Sequence, residues 1–191
     1  MTCPPDADRL TFAKGRELLA LLDGLRGADR ILRRSAFGPQ DLLQWLGGIG
    51  ILQWNAGRGD YVYRLFGTSL AQNLGRDLTG RTLAEWPPAV AQIMRDQADA
   101  ARSRGVTVVS HYRLRVFKRN GALENGIRTQ EKLVVPMSYA DSGPADAVLV
   151  YVDQRFADIP ILRVHMDATQ GSCWCAADRP LSAGCPMQPE S

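Results

Sequence analysis

Apolar and polar positions alternate along residues 60–66, with Tyr61, Tyr63 and Leu65 on one side of an extended chain and Val62, Arg64 and Phe66 on the other. Successive strand side chains point to opposite faces, so the pattern predicts a strand. Gly67 ends it. Thr68 or Ser69 is placed to cap a short helix through Leu70, Ala71 and Leu74, and Gly75 suits the left-handed residue that closes such a helix. A second short unit runs through Asp77, Leu78, Thr79 and Gly80 to Thr82, the predicted cap of residues 83–86. Pro87 and Pro88 then fit the first turn of a longer helix, predicted over 89–104.

Upstream, Leu18, Leu19, Leu21, Leu22 and Leu25 fall on one broad helical face over residues 14–26. That face has two readings, a cover for the chain's own sheet or a contact with a second subunit, because periodicity identifies a buried face and not its partner. A turn at Phe37, Gly38, Pro39 and Gln40 leads to Asp41, the predicted cap of a short helix through Leu42, Leu43 and Leu46, with Gly47 and Gly48 ending it. Residues 49–55 read as the first strand and 56–59 as its hairpin turn. Downstream, residues 106–117 place Val106, Val108, Ser110, Tyr112, Leu114 and Val116 on one face, with His111, Arg113 and Arg115 turned away. Asn120 and Gly121 turn the chain, and Ile127, Thr129, Glu131, Leu133 and Val135 form the next inner face. Pro136 is expected to close that strand. A turn at 141–144 precedes the last strand, 147–153.

Two strands, a helical crossover and three strands make an α+β chain: a five-stranded antiparallel sheet with helices over one face and extra N-terminal helices. The division expected is a helical extension over 1–46, a main domain over 47–156, and a C-terminal extension of irregular character over 157–191.

The run Tyr63-Arg64-Leu65-Phe66-Gly67-Thr68-Ser69-Leu70, followed by Gly75-Arg76-Asp77-Leu78-Thr79-Gly80-Arg81-Thr82-Leu83-Ala84-Glu85, resembles the bacterial PAS superfamily, in particular its compact stand-alone members. The resemblance covers roughly residues 17–156. It implies a PAS-like sheet and a sensory or regulatory role without catalysis, exerted on a small molecule or a signalling protein and passed on through altered protein contacts. Homodimerisation through the leucine-bearing helix would be one such contact. A sensor of this kind needs an apolar cavity with a few orienting polar groups. Tyr63, Ser110, Tyr112, Thr129 and Glu131 interrupt the apolar rows and Trp86, Leu78 and Leu83 could wall the cavity. The same residues could equally fill a closed core, which would make the chain a structural interaction domain. Arg64, with its fork of donors, is expected to pair internally with Glu131 or to meet a ligand carboxylate.

Composition narrows the choices. The 191 residues are 45% hydrophobic, enough for one substantial core. Net charge is +3 from 23 basic and 20 acidic residues, without a polybasic run, so no nucleic-acid partner is expected. Without a long apolar span or a signal-peptide core, the expectation is a cytoplasmic chain that does not insert into membranes.

His111 and His165 have no nucleophile turn or orienting carboxylate beside them in sequence, so an enzyme using Arg64, Tyr112 and Glu131 is the weakest reading. Gly47, Gly48 and Gly50 lack the strand, loop and helix order of a dinucleotide cradle. Residues 67–105 contain neither histidine nor cysteine, which disfavours haem and covalent flavin; no cofactor is identified. His165, Cys173, Cys175 and Cys185 are the one candidate metal set, but their spacing departs from common zinc patterns, and reduced thiols are the preferred reading.

Overall fold

The computed structural model describes residues 10, 12–117, 123–154, 163–166 and 172–175, with side chains outside that description at 112–117, 123–129, 154, 163–166 and 172–175. The alternating segments become β2 (Ile49–Asn55) and β3 (Asp60–Phe66), an antiparallel hairpin around residues 56–59. Helix α2 (Thr68–Leu74) closes on Gly75 at φ +78, and α3 (Pro88–Arg104) closes on Gly105 at φ +63, the left-handed geometry in which glycine has no Cβ penalty. Then follow β4 (Val108–Phe117), β5 (Leu123–Ser138) and β6 (Ala147–Gln154). The five strands lie in the order β3-β2-β6-β5-β4, all neighbours antiparallel.

Three short strands extend this sheet beyond the five expected. β1 (Leu32–Arg33) pairs in parallel with the end of β5, and β7 (Arg163–Met166) and β8 (Ser172–Cys175) pair antiparallel with β4. The segment expected to be irregular therefore contributes strands. Among the described residues, no helix is long and apolar enough to cross a membrane.

Both faces of the sheet are buried. One core holds Leu18, Leu19 and Leu22 of α1 (Ala13–Leu25) against Ile51, Leu133, Val135 and Leu149. The other holds Tyr61, Tyr63, Phe66 and Leu83 with Ala98 and Ala101 of α3 against Leu52, Val134 and Val150. Leu133 and Val134 are adjacent in sequence and belong to opposite cores, as strand alternation requires. Of the two readings of the leucine helix, the sheet cover is the observed one: Leu18 and Leu22 are 0% exposed within a single chain.

Several local expectations are corrected. The register of β2 on β3 slips between Ile51, opposite Leu65, and Leu52, opposite Tyr63. Arg64 is the extra residue of a bulge, so Phe66 returns to the Tyr63 face and the two rings meet edge to face at 5.0 Å. Pro136 does not end β5; it pairs opposite Val148. It lies in the gap between the last β4 partner, Val134, and the first β1 partner, Met137.

Asp41 is not the N-cap residue: it is the third residue of a 3-10 turn, Pro39–Leu42, and its carboxylate accepts the N–H of the N-cap, Gly38, at 2.7 Å. Neither Thr68 nor Ser69 caps α2, whose N-cap is Gly67, and Thr82 makes no side-chain cap bond. Gly67 is required for closeness: a Cβ there would collide with the carbonyl oxygens of Leu46, Gly47 and Ile49.

If α1 is a layer of the core, Leu18→Ala should cost about 2–5 kcal/mol, as large-to-small changes at closed sites do. The urea midpoint is expected to fall while the elution volume of the folded protein stays unchanged. Lost association at an unchanged midpoint would instead assign the leucine face to a second subunit.

Candidate functional site

The candidate residues divide between the two faces of the sheet. Tyr63, Trp86 and Ser110 lie on the α3 side, and Glu131 lies on the α1 side. Strand register explains the division, since Ser110 stands opposite Lys132 and His111 opposite Glu131. The rows containing Ser110 and Glu131 therefore cannot line one inner face. Tyr112 and Thr129 are strand residues paired with Gln130 and Arg113, and their side chains are outside the described set. Arg64 is exposed on β3, and two strands separate it from β5. At about 4.8 Å per strand that gap is about 14 Å, too far for the expected ion pair with Glu131.

On the α3 side the polar groups are held by one another. Trp86 Nε1 donates to Tyr63 Oη at 3.0 Å, and burial raises the Tyr63 phenol well above its ordinary pKa. Tyr61 Oη donates to Asp99 Oδ1 at 2.7 Å and accepts from Arg102 Nε at 3.0 Å, while the Arg102 guanidinium stacks over Trp54 at 5.3 Å. Asp60 receives a bidentate fork from Arg95, at 2.8 and 3.0 Å, together with the Tyr61 and Ala84 N–H groups. Burial alone would raise the Asp60 carboxyl, but the hydrogen bonds from Arg95, Tyr61 and Ala84 and the Arg95 charge together outweigh it and hold the group below the usual carboxylate range. Ser110 is 0% exposed, and its hydroxyl has no hydrogen-bond partner among the described residues.

On the α1 side Glu131, 2% exposed, accepts the backbone N–H of Phe12 at 3.0 Å across 119 residues of sequence. Its other oxygen is 3.4 Å from His111 Nδ1. This fixes the residue that leads into α1 directly to the middle of β5. Beside it, Tyr151 is raised by burial and by the carboxylates of Asp153, Glu131 and Glu17.

Where the start of α1 meets the sheet there is a cleft of about 400 Å³. Its walls come from Lys14, from Gln44, Trp45, Gly47 and Gly48, from α2, and from Tyr151 to Asp153 on β6. A Cβ at Gly48 would lie 2.8 Å from Val152 O and 2.9 Å from the Tyr151 ring, so the wall is closed there by glycine. Trp45 Nε1 donates to Lys14 O at 2.9 Å, which sets the start of α1 at the rim.

Sequence reasoning missed this cleft, reading Gly47 and Gly48 as a helix end and rejecting a dinucleotide cradle there. It also missed the α3 network, although Arg95, Asp99 and Arg102 carry the i, i+4, i+7 spacing of one helix face.

Among the described residues no group of three or more His, Cys, Asp or Glu side chains could hold a metal. Of the expected metal set, Cys185 lies outside the described residues, and His165, Cys173 and Cys175 are described only by their pairing along β4.

Glu131→Ala should strand the buried Phe12 N–H and cost about 1–3 kcal/mol. Glu131→Gln, which keeps an acceptor oxygen, should recover most of that in urea unfolding. Equal losses for the two variants would show that the carboxylate charge, and not the bond to Phe12, holds the segment.

A family model described as a PAS domain matches residues 11–138, more than half of the chain and including α1. Among curated proteins no relative matches.

Proposed function

The chain belongs to the PAS domain family, and from that membership we propose that it is a sensory and regulatory module that binds a small molecule and answers through changed contacts with a partner protein or a second copy of itself. The observation that carries this reading is the cleft at the seam between α1, α2 and β6. A ligand there would touch the N-terminal helix and the sheet at once. Differential binding to two seatings of α1 is the only way a ligand can shift one toward the other.

The Glu131 bond to Phe12 supports the same mechanism, because any reseating of α1 works against a specific buried hydrogen bond. With Leu18, Leu19 and Leu22 covered, the surface offered to a partner is the exposed side of α1, including Lys14, Glu17 and Asp23. A homodimer would form there, and not through the leucines.

We assign no turnover to the chain. Asp60, Tyr61, Tyr63 and Glu131, the buried groups best suited to acid or base work, are each engaged in a structural hydrogen bond. A closed-core interaction domain is a second reading, favoured by the aromatic filling of the α3 side, where Tyr61, Tyr63 and Phe66 are buried.

Native mass spectrometry of freshly purified protein, compared with a denatured sample, separates the two. The sensory reading expects a noncovalent mass that is lost on denaturation. An unliganded chain that neither retains a small molecule nor gains one from a cell metabolite extract, yet associates with a protein partner, would favour the closed-core domain.

A further inference from the structure

The electrostatics of the seam cleft select among ligands; the inference rests on the sensory reading above and deepens it by naming a class of molecule. Lys14, exposed in the first turn of α1, sets a positive charge in the cleft wall and opposes a cation. The β6 wall opposes an anion. Tyr151 and Asp153 line it, and Asp153 stands opposite Glu131 in the ladder. Burial, with the carboxylates of Asp153, Glu131 and Glu17, raises the Tyr151 phenol above its ordinary pKa, so the hydroxyl keeps its proton at neutral pH. Asp153 already has an interaction within the fold, so its charge is not open to a counter-ion.

The groups left to a ligand are uncharged. Tyr151 is 5% exposed, and its hydroxyl makes no hydrogen bond among the described residues. Gln44, Ser69 and Gln72 are exposed wall residues whose side chains likewise make none there. An apolar ligand would take these groups out of water without replacing their hydrogen bonds. A ligand hydroxyl both donates and accepts, as the Ser hydroxyl and the Gln amides of the wall do, so it can meet each of them. The volume of about 400 Å³ is near the small end of ligand sites, which span about 300–1,000 Å³.

We propose that the cleft binds a small uncharged polyhydroxylated molecule, of the monosaccharide or polyol class, one of whose oxygens accepts the Tyr151 hydroxyl proton. Such a ligand would touch α2, the end of β6 and the first turn of α1 together. Acidic and amino derivatives of the same molecule would be rejected by the wall charges, so specificity comes from repulsion as well as from fit.

The test is calorimetric titration of the full chain with a panel of neutral probes: glucose, galactose, mannose, ribose, myo-inositol, sorbitol and glycerol. At least one should bind, and raising the salt should leave its affinity unchanged, since no ion pair is formed. Its sugar-acid and amino-sugar counterparts should bind about tenfold more weakly or worse. Tyr151→Phe, which keeps the ring, should weaken binding about fivefold, the effect of one neutral hydrogen bond. Its melting temperature should be unchanged or higher, because the hydroxyl removed has no partner in the fold. Gln72→Ala, at an exposed position on α2, should also weaken binding at an unchanged melting temperature.

Absence of binding across the neutral panel would overturn the proposal, as would a charged counterpart that binds equally well or affinity undiminished in both Tyr151→Phe and Gln72→Ala. If the panel fails while native mass spectrometry shows a different retained molecule, the ligand class falls and the sensory reading stands.

Discussion

A sheet with two dry faces is the constraint on which the rest of this structure depends. In β5 and β6 consecutive residues serve opposite cores: Leu133 and Val135 face α1, Val134 faces α3, and Leu149 and Val150 divide in the same way. A slip of one residue would exchange the two sets entirely, so register is specified twice over. It follows that α1 is a structural layer. Without it, the face carrying Ile51, Val135 and Leu149 would be open to water.

Much of the fold was legible because its signals are local. The bounds of β2, the 56–59 turn, the left-handed end at Gly75 and the prolines opening α3 each depend on a few adjacent residues and were readable from them. What failed depended on partners distant in sequence. The bulge at Arg64 exists only against β2, and the alternation through Tyr63, Arg64 and Leu65 gives no sign of it. Pro136 reads as a strand end until β4 is seen to stop before it.

The candidate site was less legible for a related reason. Assigning Ser110 and Glu131 to one inner face assumed a sheet buried on one side. Runs such as Lys132 to Met137 and Ala147 to Val152 are nearly continuous in apolar residues, which is the mark of strands covered on both faces. Taken that way, they would have shown that neighbouring strand residues serve different cores. The seam cleft had no sequence signal beyond Gly47 and Gly48, because its walls come from four separate parts of the chain.

The polar groups set into this double core fasten particular elements to the sheet. Asp60 with Arg95, and Tyr61 with Asp99 and Arg102, lock α3 to the hairpin, while Glu131 fastens the entry to α1. The central claim is that α1 is a layer of the domain, seated cooperatively on the sheet. Hydrogen exchange of the full-length chain in mild denaturant tests it most directly. The account predicts that amides of residues 18–25 exchange in the same slow class as those of 133–135 and open with them. Rapid exchange through α1 while the sheet stays protected would contradict it.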